Sequence, residues 1–162
     1  MPVSRPSRGF ALALNDDIAL LSIVPLFAEI GEDKLRLIAF GAERRRLSRG
    51  QQLFREGAPA DCAFAVASGA ISLSRTVRDG SVEVVQTVGR GTLLSELAMI
   101  SFVERKFTAT AEEESEVIRI NRQLFRRMLE EYPEVAAIVE SRIRDNLQTM
   151  IARMEKLAPK FG

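Results

Sequence analysis

From Glu43 onward the sequence is cut into short runs by glycines at Gly50, Gly57, Gly69, Gly80, Gly89 and Gly91. The runs between them alternate as strands do. In "AISLSRT", Ile71 and Leu73 face one way, and "VEVVQTV" alternates in the same manner. Asp79-Gly80 stands between these two runs and is a strong hairpin signal. Short strands at even spacing with turn glycines predict an antiparallel sandwich or barrel, typically a jelly roll. Most of the glycines are read as serving their own turns. Arg44, Arg45 and Arg46 do not make a basic patch on this reading, because alternation sends their side chains to two faces of a solvated edge strand.

Helical texture flanks the strand-like region. Residues 16–40 carry acids in a first turn ("NDDIALLSIV"), a break at Pro25, and Leu35 and Ile38 on one face. After "FTATAEEESEVIRI", Asn121 is a candidate N-cap for "RQLFRRMLEEY". Pro133 then opens a longer helix to about Leu157. Within it Ile143, Leu147, Met150, Met154 and Leu157 follow a heptad seam, widened by Val139 and Ile151. A lone stripe often packs on its own domain. Because this helix outlasts the domain it leaves, the seam is read as a parallel two-fold helix pair, a homodimer interface. The expected organisation is an N-terminal arm over residues 1–14, a β-roll over 15–131 and the long helix over 132–162.

Composition closes most routes to catalysis. The 162 residues contain no histidine and a single cysteine, Cys62. A disulfide within the chain, histidine-held zinc, haem or iron, and Ser-His or Cys-His pairs are all excluded. Cys62 is expected to be a buried thiol in a strand. A net charge of +1 gives no reason to expect DNA or an anionic membrane as partner. The reducing cytoplasm is the default compartment, and no apolar run reaches the length of a membrane span. The arginine-bearing N-terminus lacks the long apolar region of a signal peptide. No metal or cofactor is expected.

One acid and one base stand out in "LLSELAMISFVERKFTATA". Glu96 and Arg105 lie in a mostly apolar run, and either pair with each other or hold a ligand that carries both a hydroxyl and a negative charge. Around them, "VPLF" at Val24–Phe27, "RGQQLFREGAPAD" through Gly50, Leu53, Phe54, Gly57 and Asp61, "FAVASGAISL" around Gly69, and "DGSVEVVQTVGRG" ending at Gly91 follow one another in a characteristic order. The chain so resembles the cyclic nucleotide-binding domain family, in the form of the sensor domain of Crp-Fnr-type regulators. The resemblance covers roughly Asp17 to Leu157. It implies an eight-stranded antiparallel jelly roll with N-terminal helices and a long C-terminal dimerisation helix.

The family's phosphate cassette reads G-E-L-A-[LM]-[LI], three residues, P-R-x-A-[TS], and is matched by "SELAMISFVERKFT". The resemblance implies that Glu96 accepts the ribose 2′-hydroxyl and that Arg105 pairs with the cyclic phosphate, with backbone N–H groups at the start of a short helix completing the cradle. Ser95, Leu97, Lys106, Phe107 and Thr108 fall on the same pocket. Met150 and Ile151 fall where the family's long helix meets the base. Ser95 replaces the cassette glycine and crowds the backbone, Glu104 replaces a proline, and Phe107 replaces an alanine beside the phosphate. The functional expectation is a stand-alone, non-enzymatic sensor of cAMP or cGMP that signals through its C-terminal helix to a protein partner. A DNA-reading module needs several dozen residues beyond Leu157, so this chain alone is not expected to bind DNA. The other reading is a dimeric interaction module whose pocket is empty.

Overall fold

The computed structural model describes residues 8–157. Two helices open it, α1 (Arg8–Ile23) and α2 (Glu32–Gly41), separated by a single 3-10 turn at Pro25–Phe27. Pro25 has no N–H to continue α1 and so starts the new turn instead. Helix α1 reaches back to Arg8, so the arm expected through residue 14 is helical over its second half. The reason lies in "FALAL", whose alanines and leucines are strong helix formers.

Ten strands are described between the helices: β1 (Glu43–Leu47), β2 (Gln52–Phe54), β3 (Pro59–Ala60), β4 (Cys62–Ser68), β5 (Ile71–Thr76), β6 (Val82–Val88), β7 (Leu93–Leu94), β8 (Val103–Glu104), β9 (Thr108–Ala111) and β10 (Ser115–Asn121). Their pairing is nested. β5 pairs with β6 across the Asp79-Gly80 turn, and outward from there β4 pairs with β7, β3 with β8, β2 with β9 and β1 with β10. The segment is thus one long hairpin. It is coiled on itself, so that β10 also meets β4 and β9 also meets β5. Two four-stranded sheets result, with orders β1-β10-β4-β7 and β2-β9-β5-β6. β3 and β8 form a separate two-stranded pair, a correction to the expected count of eight.

Two cores follow from the period of two along β4. Ala63, Ala65 and Ala67 face the helices, where their small side chains let α1 and its neighbours approach. Cys62, Phe64 and Val66 point the other way, between the sheets, with Leu47, Ile71, Leu73 and Val117. β4 is therefore buried on both faces and reads as a continuous apolar run rather than an alternating one. The thiol of Cys62 is buried in that strand, as its context suggested. β6 departs from expectation. It is an edge strand whose Val82, Val84 and Val85 are exposed, and a register shift in the β5–β6 ladder leaves Val85 unpaired.

β1 is an edge strand too, and its arginines are tied to acids. Arg44 bonds Asp17 of α1 and Glu116 of β10, and Arg46 reaches the same Glu116 at 3.2 Å. At the far end, the Asn121 side chain accepts a 2.7 Å bond from the Leu124 N–H and so caps α3 (Arg122–Glu131). α4 (Pro133–Leu157) follows after a single residue. Ile143, read from sequence as part of a dimer seam, is instead buried in the helix-facing core, and Leu147 is half-buried. The side chains of Met150, Met154 and Leu157 lie outside the described residues. Among the described residues no helix is long and apolar enough to cross a membrane.

Candidate functional site

A cavity of about 340 Å³ opens between the second sheet, the short 3-10 helix Glu96–Met99 and α4. The strand β7 ends at Leu94, and the chain turns sharply at Ser95 to start the short helix. Ser95 achieves this with φ 63° and ψ 42°, and among the described residues no other non-glycine has positive φ. That is the conformation for which a glycine is suited. The Ser95 side chain makes no capping bond in return. Ser95→Gly is accordingly expected to stabilise the domain by about 1 kcal/mol, measured by thermal or urea unfolding.

The short helix buries Ala98 and Met99 and thereby presents Glu96 and Leu97 to the cavity. Asn146 of α4 lines the same cavity and donates a 3.3 Å bond to Glu96 Oε1. Burial pushes the Glu96 carboxyl above its ordinary value of 4.5, and the Asn146 bond pulls it partly back. Glu96 and Arg105 do not pair with each other, so the first of the two possibilities for them is corrected.

Arg105 is turned away from the cavity. Its guanidinium is buried, donates to the Cys62 carbonyl at 2.8 Å and to Cys62 Sγ at 3.2 Å, and lies 4.5 Å from the ring centroid of Phe54 and 5.4 Å from that of Phe64. Among the described residues no carboxylate forms an ion pair with it. Among these residues its charge is balanced only at longer range, by Asp61 next to Cys62 in the chain, which it shares with Arg119. Burial raises the Cys62 pKa against the opposing pull of Arg105, so the thiol keeps its proton and does not neutralise that cation. Phe54, on which the guanidinium lies, also lines the cavity.

The other expected positions divide. Phe107 contributes its ring to the cavity wall, and exposed Lys106 lines it from the next position. Thr108 is not among the residues lining the ligand-free cavity, and its Oγ1 accepts a 3.0 Å bond from the Glu56 N–H, which leaves its hydroxyl proton free to donate. Ile151 is exposed in the ligand-free fold, and the side chain of Met150 lies outside the described residues. The cavity is covered instead by Ile143, Asn146 and Leu147, one to two turns earlier. Asn146 was missed. Its signal is a polar residue set into an apolar stripe, three residues after Ile143 and one before Leu147.

Comparison with known proteins places these features in context. The family model for the cyclic nucleotide-binding domain matches residues 44–132. The chain is 27% identical over 125 residues to the cyclic AMP receptor protein of Thermus thermophilus, across 75% of this chain and 58% of that protein. It is 28% identical over 131 residues to the lysophospholipase nte1 of Neurospora crassa, across 78% of this chain but only 9% of the much longer protein. Both relatives extend well beyond the matched segment. A cyclic nucleotide-binding-like protein from Brucella abortus has 46% identity and a TM-score of 0.65, over 71% of this chain and 98% of that one.

Proposed function

The chain belongs to the cyclic nucleotide-binding domain family, and from that premise we propose that its cavity takes a purine 3′,5′-cyclic nucleotide, cAMP or cGMP. The observation that carries this reading is Arg105. It is a buried guanidinium with no ion pair among the described residues, and it lies on Phe54, which lines a cavity that already holds a half-buried carboxylate. Entry of the cyclic phosphate draws Arg105 out of its slot between Phe54 and Phe64, because a bidentate phosphate pair outweighs a carbonyl and a thiol. The ribose 2′-hydroxyl donates to Glu96 and competes there with Asn146, so the ligand loosens the tie between α4 and the short helix. Ligand binding then shifts α4 by its differential affinity for the two arrangements. Homodimerisation through the later part of α4, and a protein partner that receives the signal, belong to the same proposal. The domain itself is proposed to bind and not to turn over its ligand.

Calorimetric titration with cAMP, cGMP and 2′-deoxy-cAMP at neutral and mildly acid pH tests this. The hydroxyl donor requires Glu96 ionised, and the folded protein holds that proton above pH 4.5. Affinity for cAMP is therefore expected to weaken already as pH falls through the raised value, while 2′-deoxy-cAMP binds less tightly and without that step. Stability runs the opposite way. The proton favours the folded state, so this group's contribution is present below 4.5 and is lost as pH rises through the folded value. Glu96→Gln removes both dependences. A second reading rests on Phe107, whose ring occupies the cavity wall, and on Arg105 facing away from it. No heat with any nucleotide at millimolar concentration would overturn the nucleotide reading in favour of this one, an interaction module whose pocket takes no nucleotide.

A further inference from the structure

Arg122 has no place in the nucleotide chemistry described above, yet its side chain gathers three backbone carbonyls from two distant segments. Nε donates to Ala98 O at 3.0 Å, and Nη2 donates to Ser101 O at 2.9 Å and to Ala60 O at 2.8 Å. Ala98 belongs to the short helix and Ser101 lies just after it. Ala60 belongs to β3, two residues before Cys62. The Arg122 backbone N–H adds a 3.0 Å bond to Asp61 O. Phe102 closes the outer side, its ring centroid 4.2 Å from the guanidinium.

No carboxylate forms an ion pair with Arg122 among the described residues. Every one of its side-chain donors that is bonded points at main chain. The segment that carries Glu96 is thus tied, through one planar fork, to the segment whose Cys62 holds Arg105. The two-residue strand pair β3–β8 is too short to fix that spacing unaided. We propose that Arg122 is a positioning residue for the ligand site: it sets the short helix, and with it Glu96, against the β3–β4 turn. It stands at the first position of α3, directly after the cap Asn121. Movement of α3 would therefore act on the Glu96 side of the site through this residue. The ligand part of this inference rests on the nucleotide reading; the positioning part does not.

Arg122→Lys tests it, since lysine keeps the charge and loses the fixed fork. In the ligand-free protein, amide hydrogen exchange over residues 96–101 is expected to quicken by about tenfold, with β4 and β10 keeping their protection. In the titration, cAMP is expected to bind about tenfold more weakly while 2′-deoxy-cAMP, which lacks the hydroxyl that Glu96 receives, changes little. Exchange that is unchanged over 96–101, or quickened equally throughout the fold, overturns the positioning role, as does an equal loss of both nucleotides. If the unsubstituted protein binds neither nucleotide, the nucleotide reading falls and the exchange result alone decides the positioning role. Arg122→Gln, which removes the charge, is expected to reproduce the local quickening.

Discussion

Arg105→Met is expected to raise the dissociation constant for cAMP by at least about a hundredfold while leaving the ligand-free domain as stable as before or slightly more so. The first half follows from the loss of the charge-assisted phosphate pair, worth roughly 2–5 kcal/mol when one partner of a buried pair is removed. The second half follows from where Arg105 rests. Its guanidinium is buried against Phe54, Phe64 and Cys62 with no ion pair among the described residues, and Asp61 balances it only at longer range. Methionine fills a similar volume in that slot and removes the cost of burying that charge. Arg105→Ala loses the same affinity but also the packing between two rings, and should be the less stable variant. Calorimetry and thermal unfolding on both variants separate the two roles. Normal binding by either would remove Arg105 from the site.

Gly69→Ala is expected to cost on the order of 3 kcal/mol, a fall of roughly 10 °C in unfolding temperature. Gly69 joins β4 to β5 at φ 86°, where a side chain already costs about 1–2 kcal/mol. Its added Cβ would meet Ser115 Oγ at 2.1 Å, Glu114 O at 2.6 Å and Ser115 Cα at 2.7 Å. The hydroxyl could rotate only by giving up its bond to Glu113 O, and the backbone atoms cannot move without shifting β10 off β4. Gly80 is the control. It has the same φ of 86°, but nothing lies within 4 Å of an added Cβ, so Gly80→Ala should cost only about 1 kcal/mol. Equal losses at the two positions would show that backbone conformation alone, and not the approach of β10, sets the cost at Gly69.

These two glycines also mark how far the sequence could be read. Both were legible as turns, but only the folded chain brings Ser115 against one of them. The Asn121 cap and the Pro133 helix start were readable because each depends on neighbours in sequence, whereas the short helix carrying Glu96 was implied by the family resemblance. Ser95 stood out as a departure from the family's glycine, but its positive φ is visible only in the folded chain. What failed depended on distant contacts. The stripe on α4 was correctly apolar, but a stripe does not say what covers it, and Ile143 turned out to face its own domain. Spacing placed Arg105 near the cavity but not its side-chain rotation, which Phe54, Phe64 and Cys62 decide. The bond that Thr108 accepts from the Glu56 N–H, 52 residues earlier in the chain, is likewise invisible in the sequence.

The nested pairing of the strands implies an order of assembly. Each pair closes a loop that the pair inside it has already shortened, so the Asp79-Gly80 turn is the natural origin and β1 with β10 the last rung. Closing β1 on β10 aligns Glu43 with Arg119, which brings the end of α2 and the start of α3 to the same edge. The packing of α3 and α4 on the N-terminal helices is therefore expected to form after the roll is zipped and to loosen early in unfolding. Late assembly leaves α3 and α4 attached at the open end of the zip, where they can shift without parting any rung beneath them.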